Sequence, residues 1–231
     1  MGYMGYMIIV GIFTFIGMLV SGRLKSKFKK YSQIGISSGQ SGAEIAQSML
    51  SYYGINDVKI VEGKGFLSDH YNPASKTIAL SPDVYRGRSV AAAAVSAHEC
   101  GHAVQHATAY SMLKMRSTLV PVVQASSRIQ QLLFYGFMFG AATSSFLGTW
   151  FSLALVITFG MTALFSLITL PVEFDASKRA LVWLDNTGTT RGAEYDGAKD
   201  ALWWAAMTYV ASALSALVMF LYFLMQFMGR D

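Results

Sequence analysis

The chain has 231 residues, 53% of them apolar and only 13% charged; soluble domains carry about 25% charged residues, so an ordinary soluble domain is excluded and a membrane protein is indicated. A single cysteine, Cys100, excludes an internal disulfide framework and agrees with a reducing compartment. The formal charge of +5 does not call for nucleic acid, because the basic residues cluster beside apolar stretches, where anionic headgroups account for them.

Residues 2–22 contain no Asp, Glu, Lys, Arg or His and suit one crossing of roughly 20 residues. They lack a basic n-region and are followed by Arg23, Lys25, Lys27, Lys29 and Lys30, so they read as an anchor and not a signal peptide. After this collar, "SGQSGAEIAQSMLSYYGI" predicts a short amphipathic helix, with Ser41 and Glu44 at capping-box spacing and Gly54 able to end it. "INDVKIVEG" and "KTIALS" read as strands of a small sheet, separated by "DHYNPAS" with its Asn-Pro turn signal. Pro82 and Asp83 can start a helical turn, and Ser89 is a plausible cap for the alanine-rich helix that follows.

That helix carries His98, Glu99 and His102 as H-E-x-x-H. Residues four apart share a face, so both imidazoles can reach one zinc ion at about 2.0–2.1 Å. Glu99 is rotated about 100° from His98, placed to take a proton from water without ligating the metal. Gly101 leaves room for another backbone to approach closely. His106 continues the stripe, but it lies about 12 Å along the axis from His98 and cannot share its ion. The position where a metzincin carries its third histidine is Thr108. Cys100 faces away from the pair and reads as a small packing residue.

Residues 129–172 are again free of charge and histidine. As helix they measure about 66 Å, roughly twice a hydrocarbon core of about 30 Å, which predicts a transmembrane hairpin. Its turn is expected near Ser145, Gly148 and Thr149, with Trp150 at the interface. Immediately beyond, "LPVEFDASKRA" offers Glu173 and Asp175, with Pro171 placed to open a new helical segment. The two carboxylates point about 200° apart on such a helix, so only one of them can complete the metal site; Ser177 shares a face with Glu173. Residues 201–229 form the last apolar stretch and a fourth transmembrane helix.

"HECGH", then "EFDAS" beyond a membrane hairpin, resembles the YugP-like membrane zinc metallopeptidases. The resemblance covers nearly the whole chain, including "SDHYNPASKTIALSPDVY". More distantly the layout is similar to the HtpX-like and CAAX-prenyl-protease gluzincins. Their E-F-x-A-D glutamate is the third zinc ligand, a role that falls here on Glu173. Those relatives place an aspartate four residues later, where this chain has Ser177; a hydroxyl can still orient a ligand, without the negative charge. Asp175 is then either a supporting residue or part of a solvated face. In relatives of this type an extended edge strand precedes the motif helix, which would make Thr77, Ile78, Ala79 and Leu80 backbone partners for a substrate peptide.

The expectation is therefore a mainly α, polytopic membrane protein. It has four transmembrane helices and a zincin-like α+β catalytic domain with a small sheet. The segments expected are an anchor (1–22), a catalytic region (23–128), the hairpin (129–172), a segment with the third ligand (173–200) and a C-terminal membrane helix and tail (201–231). All the Lys and Arg residues except Arg230 fall in 23–128 and 173–200. Arg23–Lys30, Arg128, Lys178 and Arg179 flank membrane ends, so both polar segments should be cytoplasmic and both termini on the opposite side of the cell membrane. The activity expected is zinc-dependent peptide hydrolysis with Glu99 as the proton-transferring residue. Tyr195, His70, Arg179 and Arg191 are polar candidates to stabilise the oxyanion. The partners expected are a protein or peptide substrate and the lipid bilayer; self-association or a membrane-protein partner stays open. Two alternatives remain: a non-catalytic zinc-stabilised scaffold, for which Glu99 would be superfluous, and a site-2-type intramembrane protease. "LDN" at 184–186 is a weak match to the latter, and Asp185 lies in a polar segment.

Overall fold

The structure, a computed structural model, describes residues 2–138 and 145–229. Among them the order is α1 (Gly2–Ser32), α2 (Gly42–Tyr52), β1 (Lys59–Glu62), β2 (His70–Asn72), β3 (Thr77–Leu80), α3 (Pro82–Tyr85), α4 (Val90–Ala107), α5 (Ser111–Met138), α6 (Ser145–Asn186) and α7 (Ala193–Met228). The described residues are mainly helical, with one small three-stranded sheet among them.

Three helices are long and apolar enough to cross a membrane: Met4–Ser32, Gly148–Asn186 and Ala193–Met228, with mean hydropathies of 2.1, 2.2 and 1.9. Over its described residues α5 is not one of them, and Gln124, Arg128, Gln130 and Gln131 interrupt its apolar run. Ser145, Gly148 and Thr149, near which the hairpin turn is expected, lie in α6, which begins at Ser145; residues 139–144, just before it, lie outside the described residues. One sequence expectation changes here: Pro171 lies inside α6 and does not open a separate segment. In apolar surroundings an unpaired backbone group costs several kcal/mol, more than the helix-propensity penalty of Ser, Thr or Gly, so the helix runs through them, and proline is tolerated there as well.

The chain divides into two compact units. The first comprises Met1–Leu19, Met115–Leu170 and Thr208–Asp231. Within it Phe159 and Phe223 stack with centroids 4.9 Å apart. A Cβ on Gly160 would come within 3.1 Å of the Phe220 ring, so a small residue lets α6 and α7 approach. Gln130 Nε2 donates to Thr162 Oγ1 at 3.2 Å, tying α5 to α6.

The second unit, Val20–Lys114 and Pro171–Met207, holds the motif helix. Its core is built around α4, whose Ala91, Ala92, Ala93, Ala94, Ala97 and Ala103 are buried; side chains this short let neighbouring backbones come close. Ile45, Met49 and Leu50 of α2, Ile78 and Leu80 of β3, and Trp183 and Leu184 of α6 pack into the same core. The predicted capping box is present: Glu44 N donates to Ser41 Oγ at 3.3 Å and Ser41 N donates to Glu44 Oε2 at 2.6 Å. Ser41→Ala should weaken α2 by about 1 kcal/mol, read as roughly fivefold faster hydrogen exchange of its amides, with α4 protection unchanged. Ser89 caps α4, accepting from Ala92 N at 3.2 Å.

The sheet order is β1-β3-β2. β3 pairs in parallel with β1 from Lys59 opposite Thr77 to Glu62 opposite Leu80, and antiparallel with β2 from His70 opposite Ala79 to Asn72 opposite Thr77. The expectation that Thr77, Ile78, Ala79 and Leu80 form an open edge is therefore overturned. "DHYNPAS" supplies a third strand as well as a turn, in which Asn72 Oδ1 accepts from the N–H groups of Ala74 and Ser75 at 3.0 and 3.3 Å. That turn folds the chain back alongside β3 and fills its second side.

Candidate metal centre

α4 presents His98 and His102 on one face, their rings edge to face with centroids 4.8 Å apart. Glu173 reaches them from α6, and its side chain is almost fully buried. The approach depends on Gly101, where an added Cβ would lie 2.5 Å from the carbonyl oxygen of Ala176. Glu173 Oε2 stands 3.4 Å from His98 Nε2 and 3.5 Å from His102 Nε2, and one donor atom from each of the three side chains falls within 4.8 Å of the others.

These separations test whether a metal fits. At 3.4 and 3.5 Å the nitrogens and the carboxylate oxygen are beyond the usual N–H···O range of about 2.7–3.2 Å. A tetrahedral zinc with ligands at about 2.0–2.1 Å places its donor atoms about 3.3 Å apart. The Nδ1 atoms face other partners: Ser177 Oγ lies 3.1 Å from His98 Nδ1, and Gln105 Oε1 lies 3.0 Å from His102 Nδ1. Both Nε2 atoms are thus left for the shared point, which is the orientation a ligating imidazole needs. Burial disfavours the charged His102 imidazolium, but the Glu173 carboxylate, aided by Glu99, outweighs it and raises the His102 pKa. The field at this point favours positive charge.

Glu99 is 7% exposed and follows His98 directly on α4. Ser177 stands behind His98. Asp175 instead accepts from Gln105 Nε2 at 2.8 Å and from Arg179 Nε at 2.6 Å. Arg179 is further held over the Tyr110 ring, 5.9 Å from its centroid. Arg191 packs against Gly188 in the α6–α7 loop, and His70 is tied through Nδ1 to Ser68 O at 2.8 Å. Tyr195 lines a cavity of about 480 Å³ together with Ser177, Phe174 and Trp203; of the four oxyanion candidates it alone lines this cavity beside Ser177. His106 bonds the Tyr71 hydroxyl at 2.7 Å, consistent with a histidine that does not ligate. Cys100 is buried with Sγ 3.6 Å from Ala46 O, and burial pushes its thiol pKa up. Gln105 carries little signal in the sequence beyond being the one amide side chain on the motif helix, three residues after His102.

Two histidines of an H-E-x-x-H helix with a carboxylate from a second helix form the donor set of a zinc metallopeptidase. The family model described as "Putative neutral zinc metallopeptidase" matches residues 6–228, and the chain belongs to that family. It is 43% identical over 211 residues to "Putative membrane protease YugP" of Bacillus subtilis (strain 168), covering 90% of this chain and 91% of the relative. No solved structure matches the chain.

Proposed function

We propose that the protein is a zinc-dependent endopeptidase, anchored by four membrane helices, that hydrolyses peptide bonds of membrane or membrane-proximal proteins at the cytoplasmic face. The observation that carries this reading is the convergence of His98 Nε2, His102 Nε2 and Glu173 Oε2 at spacings suited to tetrahedral zinc. His98, His102 and Glu173 would hold the ion. Zinc bound there supplies Lewis acidity for a scissile carbonyl and lowers the pKa of water towards about 7. Glu99 accepts the proton of the attacking water and delivers it to the leaving amine nitrogen. Ser177 fixes the ring of His98, and Tyr195 is the favoured oxyanion donor because it lines the cavity that Ser177 borders. The free edges of the sheet are β1 and β2. Tyr71 of β2 bonds His106 of α4, so a peptide adding a strand pairs with His70–Asn72. The basic residues at 23–30, 128, 178 and 179 support cytoplasmic placement, and the absence of charged residues from 129 to 172 supports the fourth crossing.

Detergent-purified protein is expected to contain stoichiometric zinc by elemental analysis and to lose it in Glu173→Ala. Intact, folded protein without zinc would end the metallopeptidase reading. Full occupancy in Glu173→Ala would remove Glu173 from the ligand set.

A further inference from the structure

Gln105 is fully buried on α4, one turn beyond His102. A primary amide at such a site has two donor and two acceptor positions, and leaving them unmet would cost about 1–3 kcal/mol. Its partners determine which end points where. Gln105 Nε2 lies 2.8 Å from the backbone carbonyl oxygen of Val172, a group that only accepts, and 2.8 Å from Asp175 Oδ2. The nitrogen must therefore face α6, which turns Oε1 towards His102 Nδ1 at 3.0 Å. An amide oxygen only accepts, so Nδ1 carries the proton and Nε2 carries the lone pair. The orientation continues outward, because Asp175 also accepts from Arg179 Nε at 2.6 Å and Arg179 is braced over Tyr110.

We propose that Gln105 is the positioning residue for His102: its amide, clamped by Val172 O and Asp175, selects the tautomer and ring rotation that present Nε2 to the metal. This rests on the zinc-site reading above. It also assigns Asp175 and Arg179 a place, since they hold the clamp and do not face the ion. The two histidines are thus oriented by different devices, a hydroxyl on α6 for His98 and an amide on α4 for His102, and both are referred to the same segment of α6 that bears Glu173.

The test is zinc affinity of the full chain in detergent, measured by competition with a chromophoric chelator, beside the visible spectrum of the cobalt-substituted protein. Gln105→Met keeps length and burial but removes the amide, and is expected to weaken zinc binding roughly 10–100-fold and change the cobalt band intensities. Gln105→Glu keeps an acceptor opposite Nδ1 but turns a second acceptor onto Val172 O and Asp175 Oδ2, so it breaks the clamp and is expected to weaken zinc binding at least as far as Gln105→Met. A purely structural amide would lower the melting temperature measured in excess chelator and leave the affinity of folded molecules unchanged. Zinc affinity of Gln105→Met within about twofold of wild type, or cobalt band intensities unchanged in that variant, would overturn the proposal. If Gln105→Met does not fold, Asp175→Ala decides, with a loss of about 3–10-fold expected and an unchanged affinity overturning it. Glu173→Ala is measured in parallel: zinc binding indifferent to that change defeats the metal site itself, an outcome separate from failure of the Gln105 clamp alone.

Discussion

Glu99→Gln is expected to abolish peptide hydrolysis while leaving zinc content unchanged. The substitution preserves side-chain size at a position only 7% exposed, so folding should survive. Glutamine cannot accept the proton that the attacking water must lose. Placed general bases contribute about 10²–10⁴-fold; here the same carboxylate also serves the leaving amine, so a loss of at least about 10³ in kcat is expected, with KM little altered. Cleavage of an unfolded reporter protein, assayed beside metal analysis, measures both quantities. Loss of zinc together with activity would make Glu99 part of the metal's support and not the proton carrier. Full activity with zinc retained would place the base elsewhere. If wild type and variant both hold zinc and neither cleaves any protein tested, the scaffold reading gains, since a metal held only for stability needs no base at this position.

The motif helix was legible because its determinants are local: Ser89 caps it, the alanines favour it, and a spacing of four puts both histidines on one face. The Ser41–Glu44 box is local in the same way. The choice of Glu173 over Asp175 rests on the resemblance and not on any local pattern; in the structure Glu173 lies at the histidines and Asp175 is directed to Gln105 and Arg179. Helix ends were less legible. Charge-free stretches mark where polar side chains begin, yet α6 continues past Pro171 to Asn186, because hydropathy and backbone hydrogen bonding are separate constraints. Strand order was hidden for another reason: β1 and β3 pair in parallel with β2 between them in sequence, and although the Asn72–Ser75 turn marks one neighbour of Thr77–Leu80, nothing local reports β1 on the other side. Gln105 was invisible for a similar reason, since its partners Val172 and Asp175 lie 67 and 70 residues away.

Gly101→Ala should disable the site without touching a ligand. By helix propensity alone the change favours α4, because alanine is about 1 kcal/mol better than glycine in a helix interior. Packing reverses the sign. The new Cβ would sit 2.5 Å from Ala176 O, 3.0 Å from its carbonyl carbon and 3.1 Å from its Cα, and backbone atoms have no rotamer with which to retreat. Relieving the overlap requires α4 and α6 to separate by nearly 1 Å, a strain of about 1–3 kcal/mol in a well-packed core. Glu173 stands three residues before Ala176 on α6, so the carboxylate is carried away from both histidines. Misplacement on this scale can cost about 10² in function, and zinc affinity and hydrolysis are each expected to fall at least that far, with the melting point in chelator dropping as well. Gly54→Ala is the control. No atom lies within 4 Å of its added Cβ, but φ is +68°, so it should lower stability through the strained backbone and leave zinc affinity unchanged. Wild-type zinc affinity in Gly101→Ala would mean that the ligand spacing is not set by the closeness of α4 and α6.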